Sequence, residues 1–570
     1  MATRCQALPA VRKRWRDECS DDEYIDVPDE EEDEEDDDEF ATRLARWCRS
    51  QMRDGGSAGE ACRAALAHCS GSRCPRRLIG QLAASDAGRT FLLSQAAELR
   101  KDAPATRVGR RQRHRALGSI FEAAGDLRVA ERHLRAALAV EGVTLTPPTP
   151  ASTPSRPPLS PLTESGDRDG GSRDGDEEAD SGRLRAALRV VSADRHAPPR
   201  AMRALLSSLI RVRRQISANE WSDAAAAMPA PASAKPVPRA PAGLSVAEFE
   251  RHFAATGTPC VIPLPPTAGP QGDTPWDLSH LRERLGGMRA ELKRRQDDSV
   301  QWAGLEPCSG AEGGMRVDEF IDAALASDRS ARAASDASSS AGEALSAMDD
   351  EEPAYLFDWS LPQHCPAMLE EFVVPRYFAG DLLQRAPPGS LLREAWPSLF
   401  IGPRGSRCAL HVDAYGTHFW MLVLDGRKAW TIFPRGATAL LRPSFAHGHD
   451  ASFAEDVNAA EDATPGCKTS SSTADWRCLE RWACELTSGE LLFVPAGCAH
   501  AVSNLTATAA ISANFVSQSN RQLAIDELSV AGLQAPPAAD LAHHLAGLPS
   551  SNCLEQDVPW ESFKVKQEVQ

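Results

Sequence analysis

Two histidines and one aspartate are the residues of this chain whose types and spacing suggest metal chemistry. His411 and Asp413 are separated by one residue in the β-patterned segment ALHVDA. Side chains two residues apart in a strand point to the same face, so these two would converge. His500 heads a later β-patterned segment, after the turn Ala496-Gly497, where a barrel would deliver another imidazole to its interior. Two imidazoles and one carboxylate form the facial set typical of non-haem Fe(II) sites, which leaves three positions open.

Lys428 is a further polar residue in an otherwise apolar run. It follows the turn Asp425-Gly426, which we interpret as a hairpin signal. An ammonium that faces an apolar barrel interior needs an anion. A diacid such as 2-oxoglutarate could chelate iron through its 2-oxo carboxylate end and pair its distal carboxylate with Lys428. The alternative is a turn lysine whose head group reaches water.

Short β-patterned segments between Trp396 and Val516 would position these residues. They are SLFIGP, ALHVDA, FWMLVLDG, AWTIFP, ELLFVPAG, AVSNL and ATAAISANFV. Strands this short and this closely spaced favour an antiparallel sandwich or barrel. The segment LSVAEFERHFAATGTPCVIPL, which reads as a helix running into a strand, and a helix from Trp276 to Leu285 precede them. The C-terminal half is therefore predicted to be α+β.

Composition divides the chain into six segments. Their boundaries follow blocks of charge, helical stretches, and stretches dominated by proline, serine, alanine and glycine. The segments are an acidic disordered tail at 1–40, a helical region at 41–142, a linker at 143–182, helices with an alanine- and proline-rich linker at 183–240, the β-rich domain at 241–530 and a C-terminal tail at 531–570. Asp29 to Glu39 is an unbroken acidic run that supplies most of the net charge of −17.

The helical region contains one recognisable motif. Two apolar-periodic segments meet at Gly125-Asp126, which predicts a helix–turn–helix. Small residues at Ala123, Ala130 and Ala137 would let the two helices approach closely. The stretch resembles one tetratricopeptide unit, and a generic helical bundle is the alternative.

The cysteines and the apolar runs argue against a secreted or membrane protein. The 15 cysteines show no C-x-x-C spacing, and the N-terminus lacks an apolar leader-like segment. No stretch approaches the roughly 18 uninterrupted apolar residues expected of a membrane span. We therefore expect a nuclear or cytoplasmic protein. The short basic runs VRKRWR and GRRQRHR fit either import signals or solvated surface, and they leave a nucleic-acid partner open.

Residues 353–516 resemble the Jumonji-C domain oxygenases, most closely the branch assigned arginine demethylation and lysyl 5-hydroxylation of proteins. PAYLFDWS, LEEFVVPRYFAGDLLQ, LFIGPRGSRCALHVDAYGTHFWMLVLDGRKAWTIFP and GELLFVPAGCAHAVSNLTATAAISANF follow that branch in order and nearly in spacing. The resemblance implies a double-stranded β-helix barrel, also called a cupin or jelly-roll fold, with flanking helices.

The resemblance also implies roles for individual residues. Fe(II) would be bound by His411, Asp413 and His500. The distal carboxylate of 2-oxoglutarate would be bound by Lys428 and Ser512, in a pocket also lined by Tyr355 and Thr417.

One position departs from the branch. Where the branch carries an asparagine that contacts the cosubstrate, this chain has Met421, whose thioether cannot donate a hydrogen bond. Asn514, on the adjacent predicted strand, is the residue expected to compensate.

The implied activity is that of a dioxygenase that uses Fe(II), 2-oxoglutarate and O₂, with ascorbate as reductant, and releases succinate and CO₂. It would hydroxylate a side chain of a protein or peptide. Hydroxylation of an N-methyl carbon would release formaldehyde and so remove the methyl group. The N-terminal helical region would be available to protein partners.

Two other functions are compatible with the sequence. The chain could be a non-enzymatic scaffold or chromatin-associated interaction protein, in which the helical region binds partners and the barrel is structural. It could also be a metal-dependent cupin isomerase or storage protein. Proteins of that type usually add a glutamate and a further histidine as ligands, and neither has an evident place here.

Overall fold

The computed structural model divides into two compact units, Met1–Ile216 with Leu533–Ala535, and Ser217–Gly532 with Pro536–Gln570. The residues it describes are 86–101, 106–140, 200–225, 233–272, 274–296, 302–308, 314–338, 352–441, 443–445, 450–453, 457, 476–549 and 556–560. The acidic tail predicted at 1–40 and the linker predicted at 143–182 lie outside these residues. Within them, every helix is too short or too polar to cross a bilayer.

The first unit contains α1 (Asp86–Lys101), α2 (Arg107–Ala123), α3 (Leu127–Val140) and the start of α4 (Arg200–Ala225). Helices α2 and α3 form the helix–turn–helix predicted at Gly125-Asp126, with Gly125 in the left-handed region at φ 86°. Ala130 and Ala137 are fully buried, as expected for residues that let two helices approach. A Cβ on Gly118 would lie 2.9 Å from the Leu134 side chain, so glycine is needed at the closest contact.

Two facing sheets form the barrel of the second unit. Their strands are β1 (Lys235–Pro236), β2 (Cys260–Pro263), β3 (Leu356–Ser360), β4 (Ser398–Gly402), β5 (Arg407–His411), β6 (His418–Asp425), β7 (Arg427–Ile432), β8 (Trp482–Thr487), β9 (Glu490–Val494), β10 (His500–Asn504) and β11 (Thr508–Phe515). The five-stranded sheet has the order β1-β8-β7-β10-β5, and the six-stranded sheet has the order β2-β9-β6-β11-β4-β3. Every pair is antiparallel except β1 with β8. This is the predicted double-stranded β-helix.

Alternate residues of β6 show why the sequence folds into two layers. Phe419, Met421 and Val423 pack in the core between the sheets. Trp420 and Leu422, on the opposite face, pack in a second core under the flanking helices. The strand is apolar on both faces because both faces are covered, which explains the nearly continuous run FWMLVLD.

The remaining elements flank the barrel. The helices are α5 (Val246–Phe249), which continues as a π-turn at Glu250–Ala254, then α6 (Leu278–Leu285), α7 (Val317–Ser338), α8 (Leu361–His364), α9 (Arg435–Thr438), α10 (Arg521–Ala531) and α11 (Pro536–Gly547). The 3₁₀ turns are Trp302–Gly304, Pro366–Glu371, Leu382–Arg385, Ala414–Gly416, Ala439–Leu441 and Trp476–Cys478. The short strands are Gly269–Pro270, Arg289–Ala290, Lys293–Arg295, Leu305–Pro307, Met315–Arg316, Phe372–Val374 and Val558–Pro559. The domain is α+β, as predicted.

The hairpin interpretation of Asp425-Gly426 is wrong. Strand β6 belongs to the six-stranded sheet, whereas β7 pairs with β8 and β10 in the other sheet. The turn therefore carries the chain from one sheet to the other. A Cβ on Gly426 would lie 2.2 Å from the carbonyl oxygen of Ala507, so only glycine fits. A turn motif shows where the chain reverses, but the pairing partner depends on residues far away in the sequence.

The folded domain extends beyond both ends expected from composition. At its start, β1 pairs with β8 from Lys235 onward, inside the segment read as a linker to residue 240. At its end, α11 packs against α10, and Val558–Pro559 pairs with Phe372–Val374, inside the segment read as a tail. The two short strands were missed because two-residue strands carry no periodicity. The polar strand β8 was missed for a related reason, since WACELT alternates weakly.

Candidate functional site

Neighbouring strands of the five-stranded sheet bring three potential metal ligands together. His411 ends β5 and His500 begins β10, and the two residues are register partners. Asp413 follows β5 in extended backbone, at φ −61° and ψ 142°. The three residues are buried, and their ligand atoms all lie within 4.8 Å of one another. The convergence predicted from the His-x-Asp spacing is therefore present, although Asp413 lies just beyond the strand.

Backbone carbonyls determine which imidazole nitrogen can bind a metal. The Nδ1 atom of His411 lies 2.8 Å from the carbonyl oxygen of Ala409, and that of His500 lies 3.1 Å from the carbonyl oxygen of Cys498. A carbonyl only accepts, so each Nδ1 carries the proton and each Nε2 presents a lone pair. The Nε2 atom of His500 lies 3.9 Å from Oδ2 of Asp413. Both imidazoles therefore have the tautomer that an Nε2 ligand requires.

Asn514 and Thr417 hold the carboxylate of Asp413. The side-chain amide of Asn514 donates to Oγ1 of Thr417 at 2.9 Å and also hydrogen-bonds to Asp413. Burial is the main cause that raises the pKa of Asp413, while His500 and Asn514 lower it. Burial also lowers the pKa of His411 well below its ordinary value, which keeps the ring neutral, as a metal ligand must be.

A cavity of about 160 Å³ adjoins the three ligands. Its mouth is marked by partly exposed lining residues, and its deeper wall is buried and mainly apolar. The mouth residues are Trp302, Asp358, Trp396 and Ala414, and the buried lining comprises Tyr355, Phe357, Phe400, Cys408, His411, Asp413, Phe419, Met421, Trp430, His500, Val502, Ser512 and Asn514. A cavity of about 150 Å³ accommodates a molecule the size of benzene. A small organic ligand therefore fits beside the ligand set.

Lys428 is fully buried next to this cavity. Its Nζ donates to the hydroxyl of Tyr355 at 2.8 Å and to Oδ1 of Asn504 at 2.6 Å. Burial lowers the pKa of Lys428 from 10.5 to about 7. Burial also raises the pKa of the Tyr355 hydroxyl and raises that of the Cys408 thiol to about 12, so both groups stay neutral. The ammonium therefore has only neutral acceptors among the described residues.

Further hydrogen-bond donors belong to the cavity lining. The indole Nε1 of Trp430 is buried and has no hydrogen-bond acceptor among the described residues. Ser512 lies on β11 directly opposite Met421 and is almost completely buried. A buried N–H without an acceptor costs about 1–3 kcal/mol, so a polar ligand that accepts from it would be favoured.

The predicted cosubstrate residues are distributed between the lining and the layer behind it. Tyr355, Ser512 and Asn514 line the cavity. Lys428 lies behind Tyr355, and Thr417 is reached through Asn514. Met421 also lines the cavity. The side-chain amide of Asn514, which was expected to compensate for Met421, already hydrogen-bonds to Asp413 and Thr417.

Sequence reasoning missed His418, which is buried at the start of β6. Its Nδ1 accepts from the backbone N–H of Ala496 at 2.9 Å, and its Nε2 lies 3.0 Å from Oγ of Ser519. Ala496 lies in the turn that leads to His500. His418 therefore fixes the segment that presents a metal ligand. The signal available in the sequence was a histidine at the head of an otherwise apolar strand.

Comparison with known proteins agrees with this geometry. Residues 246–521 match the family described as a cupin-like domain. A segment of 181 residues is 31% identical to the lysine-specific demethylase JMJ21 of Arabidopsis thaliana and covers 30% of this chain and 18% of that protein.

Two further relatives match segments of similar length. One is the bifunctional arginine demethylase and lysyl-hydroxylase psr-1 of Caenorhabditis elegans, 29% identical over 176 residues, which are 30% of this chain and 43% of that protein. The other is the 2-oxoglutarate and iron-dependent oxygenase JMJD4 of Homo sapiens, 31% identical over 176 residues, which are 29% of this chain and 37% of that protein. The chain thus spans less than half the length of each of these relatives.

Proposed function

We propose that this chain is an Fe(II)- and 2-oxoglutarate-dependent dioxygenase of the Jumonji-C type, since residues 246–521 match the cupin-like domain family. It hydroxylates a protein side chain, or hydroxylates an N-methyl group and thereby removes it. The observation that carries the proposal is the combination in one place of three converging metal ligands and a buried ammonium whose acceptors are neutral. The names of the relatives psr-1 and JMJD4 support it.

The donor set fits Fe(II). His411, Asp413 and His500 provide two neutral imidazoles and one carboxylate, and they leave the cavity side open for other ligands. Zinc usually takes a closed tetrahedral set, often with thiolates. The group of converging ligands contains no cysteine.

The donors near Lys428 fit the distal carboxylate of 2-oxoglutarate. Lys428 supplies the positive charge, while Tyr355 and Ser512 can donate hydroxyl hydrogen bonds. A charge-assisted pair in this buried position is favourable only because the ammonium is already desolvated in the folded protein. Trp430 offers a further N–H to the ligand.

When bound, iron and 2-oxoglutarate would supply O₂ activation, in which 2-oxoglutarate is oxidised to succinate and CO₂ and one oxygen atom enters a substrate C–H bond. The protein contributes binding and orientation. Phe419, Met421 and Val502 form apolar walls that exclude water from the reacting groups. The open mouth between Trp302 and Trp396 is where a substrate side chain would enter.

The first test of this proposal measures binding. Mn(II) titrated into the ligand-free protein and followed by electron paramagnetic resonance should bind with one-to-one stoichiometry. Asp413→Ala should abolish this binding, because a ligand with the only formal negative charge in the set is lost. Asp540→Ala is the matched control, since Asp540 is an exposed acid on α11 outside the site. Equal Mn(II) affinity in both variants would contradict the metal assignment.

The second test measures turnover. With Fe(II), ascorbate and 2-oxoglutarate, the wild type should release succinate in the presence of protein or peptide substrates, and Asp413→Ala should not. Histone and splicing-factor peptides provide a suitable panel. Protein that binds Mn(II) and 2-oxoglutarate with no succinate release, with or without peptides, would favour the alternative of a non-enzymatic scaffold.

A further inference from the structure

A turn that follows β11 is bonded to both segments that present the metal ligands. It spans residues 517–520, between β11 and α10, and we call it the anchoring turn. Its four residues, all described by the structure, lie outside the cavity lining. The anchoring turn can therefore influence a bound metal only through the segments that it holds in place.

Asn520 holds the segment that follows Asp413. Its side-chain amide donates to the carbonyl oxygen of Gly416 at 3.0 Å, and its Oδ1 accepts from the backbone N–H of Ser517 at 2.8 Å. The side chain of Asn520 is almost completely buried. Gly416 belongs to the 3₁₀ turn Ala414–Gly416, which begins directly after Asp413. The amide of Asn520 therefore links this 3₁₀ turn to the anchoring turn.

The backbone of the 3₁₀ turn needs support from its surroundings. Tyr415 and Gly416 both lie in the left-handed region, at φ 57° and 62°, which is unfavourable for a residue with a side chain such as tyrosine. A Cβ on Gly416 would lie 2.7 Å from the Leu523 side chain, so α10 packs directly against the turn. Strained backbone persists only where the surrounding structure holds it. Leu523 and Asn520, the N-cap of α10, provide that support.

His418 connects the anchoring turn to the segment that precedes His500. The Nδ1 atom of His418 accepts from the N–H of Ala496 at 2.9 Å, and burial lowers the pKa of His418 to about 3. The neutral ring therefore carries its proton on Nε2 and donates it to Oγ of Ser519 at 3.0 Å. Both segments that present metal ligands thus reach the same turn through buried hydrogen bonds.

Glu250 holds the anchoring turn from a part of the sequence far from it. The side chain of Glu250 hydrogen-bonds to the hydroxyl groups of Ser517 and Ser519, whose Oγ atoms lie 2.7 Å apart. An ionised carboxylate only accepts, so the donors run in one direction from His418 through Ser519 to Glu250. Glu250 begins the π-turn Glu250–Ala254, and single π-turns within helices are frequent at functional sites.

We propose that Glu250 and Asn520 are positioning residues of the metal site, which act through the anchoring turn on the segments that present Asp413 and His500. The inference rests on the proposed function, since it assumes that the three converging ligands bind a metal. Hydrogen-bond partners of metal ligands typically contribute tenfold to a hundredfold to metal affinity. Because Glu250 and Asn520 act at least one step further from the metal, we expect about tenfold for each.

Glu250→Ala and Glu248→Ala form the first pair of full-length variants. Glu250→Ala removes the acceptor of the hydroxyl groups of Ser517 and Ser519. Glu248→Ala is the matched control, because Glu248 is an exposed acid on α5 whose side chain bonds to Ser245 at the start of the same helix. Both changes remove one negative charge, so a difference between them reports on the anchoring turn.

Asn520→Asp and Tyr377→Phe form the second pair. Aspartate keeps the acceptor for the N–H of Ser517 and loses the donor to Gly416. The hydroxyl of Tyr377 is also a buried donor to a backbone carbonyl, that of Leu244 at 2.9 Å. Tyr377→Phe therefore removes a comparable hydrogen bond that does not involve the anchoring turn.

Mn(II) binding is measured by electron paramagnetic resonance under conditions in which denaturant titrations show each variant to be folded. Glu250→Ala and Asn520→Asp should each lower Mn(II) affinity about tenfold, and at saturating Mn(II) their spectra should broaden because the ligand positions vary more. Both controls should keep the affinity and line width of the wild type, whatever unfolding free energy they lose.

Wild-type Mn(II) affinity in Glu250→Ala or Asn520→Asp overturns the role of the residue changed, and an equal loss of affinity in its control overturns it as well. If Asn520→Asp does not fold, the first pair decides alone, because Glu250 is partly exposed and its removal leaves no buried cavity. Failure of the wild type itself to bind Mn(II) would instead refute the proposed function. The two failures are therefore distinguishable.

Discussion

Lys428→Met separates the binding of the distal carboxylate from every other interaction of the cosubstrate. Methionine is close to lysine in length and shape and carries no charge. In the wild type, the ammonium is completely buried, and its hydrogen-bond partners among the residues that the structure describes are Tyr355 and Asn504, which are neutral. A bound dicarboxylate would give it an ionic partner. Removal of one partner from a buried ion pair costs about 3–5 kcal/mol.

This energy corresponds to a loss of about two to four powers of ten in affinity for 2-oxoglutarate. Pyruvate is the internal control, because it keeps the 2-oxo carboxylate end and lacks the distal carboxylate. Its affinity should change little in Lys428→Met. The measurement is calorimetric titration of the Mn(II)-loaded protein with each acid. A loss below tenfold for 2-oxoglutarate, or equal losses for both acids, would refute the placement of the distal carboxylate.

The same group predicts a proton uptake. Since burial holds the pKa of Lys428 at about 7 in the ligand-free protein, much of it is neutral above pH 7. A dicarboxylate requires the charged form, so binding should take up a proton and weaken about tenfold per pH unit above 7. Tyr355 and Cys408, which face Lys428, stay neutral over this range because burial raises both pKa values. Titrations in two buffers of different ionisation enthalpy measure the uptake, and Lys428→Met should abolish it.

The lowered pKa also affects stability. Between pH 7 and 10.5, the unfolded chain binds a proton at this lysine that the folded, ligand-free protein does not bind. The unfolded state therefore binds more protons, and stability should rise with pH through this window. Lys428→Met should remove that slope in a denaturant titration.

Three further predictions concern other buried side chains. His418→Phe should reduce the unfolding free energy by about 1–3 kcal/mol, because it leaves the N–H of Ala496 buried without an acceptor. It should also weaken Mn(II) binding. Unchanged Mn(II) affinity would show that His418 does not position His500. Trp430→Phe should weaken 2-oxoglutarate binding by roughly threefold to tenfold, since it removes an N–H that has no acceptor among the described residues. Calorimetry would reveal whether the affinity is instead unaffected. Burial raises the pKa of Asp381 from 3.8 to about 7, so between about pH 4 and 7 the folded state binds more protons than the unfolded state and stability declines as pH rises. Asp381→Asn should remove this decline. A slope that persists in denaturant titrations of the variant would contradict the prediction.

The sequence was informative where the signal is local or comes from one strand at a time. Seven of the strands between Trp396 and Val516 follow from alternation and turn residues, and each is present. The convergence of His411 and Asp413 follows from the alternation of side chains in extended backbone, which continues to Asp413 just beyond β5. The orientation of Lys428 required one more premise, that a charge in an apolar run has a partner, and the structure buries it as expected.

The sequence was uninformative where the outcome depends on two distant segments. The partners of Lys428 are 73 and 76 residues away. Tyr355 lies just before β3 and Asn504 lies on β10, and no local pattern links either of them to Lys428. Strand β3 has a bulge where Phe400 of β4 faces both Phe357 and Asp358, so alternation along β3 by itself predicts the wrong face for one of them. Such features depend on the register in which neighbouring strands pair. The hydrophobic pattern constrains that register for a whole sheet, but it does not fix the pairing of single residues.

Two adjacent strands of one sheet hold both ends of the proposed ligand. On β10, His500, Val502 and Asn504 share the face towards the barrel interior, and Asn504 is bonded to Lys428 of the neighbouring strand β7. At a rise of about 3.3 Å per residue, the Cα atoms of His500 and Asn504 are roughly 13 Å apart. Side chains reach inward from both ends, and the proposed 2-oxoglutarate would lie between them. A slip of one residue between these strands would turn the imidazole and the ammonium apart. The spacing between His500 and Lys428 is therefore a property of the five-stranded sheet.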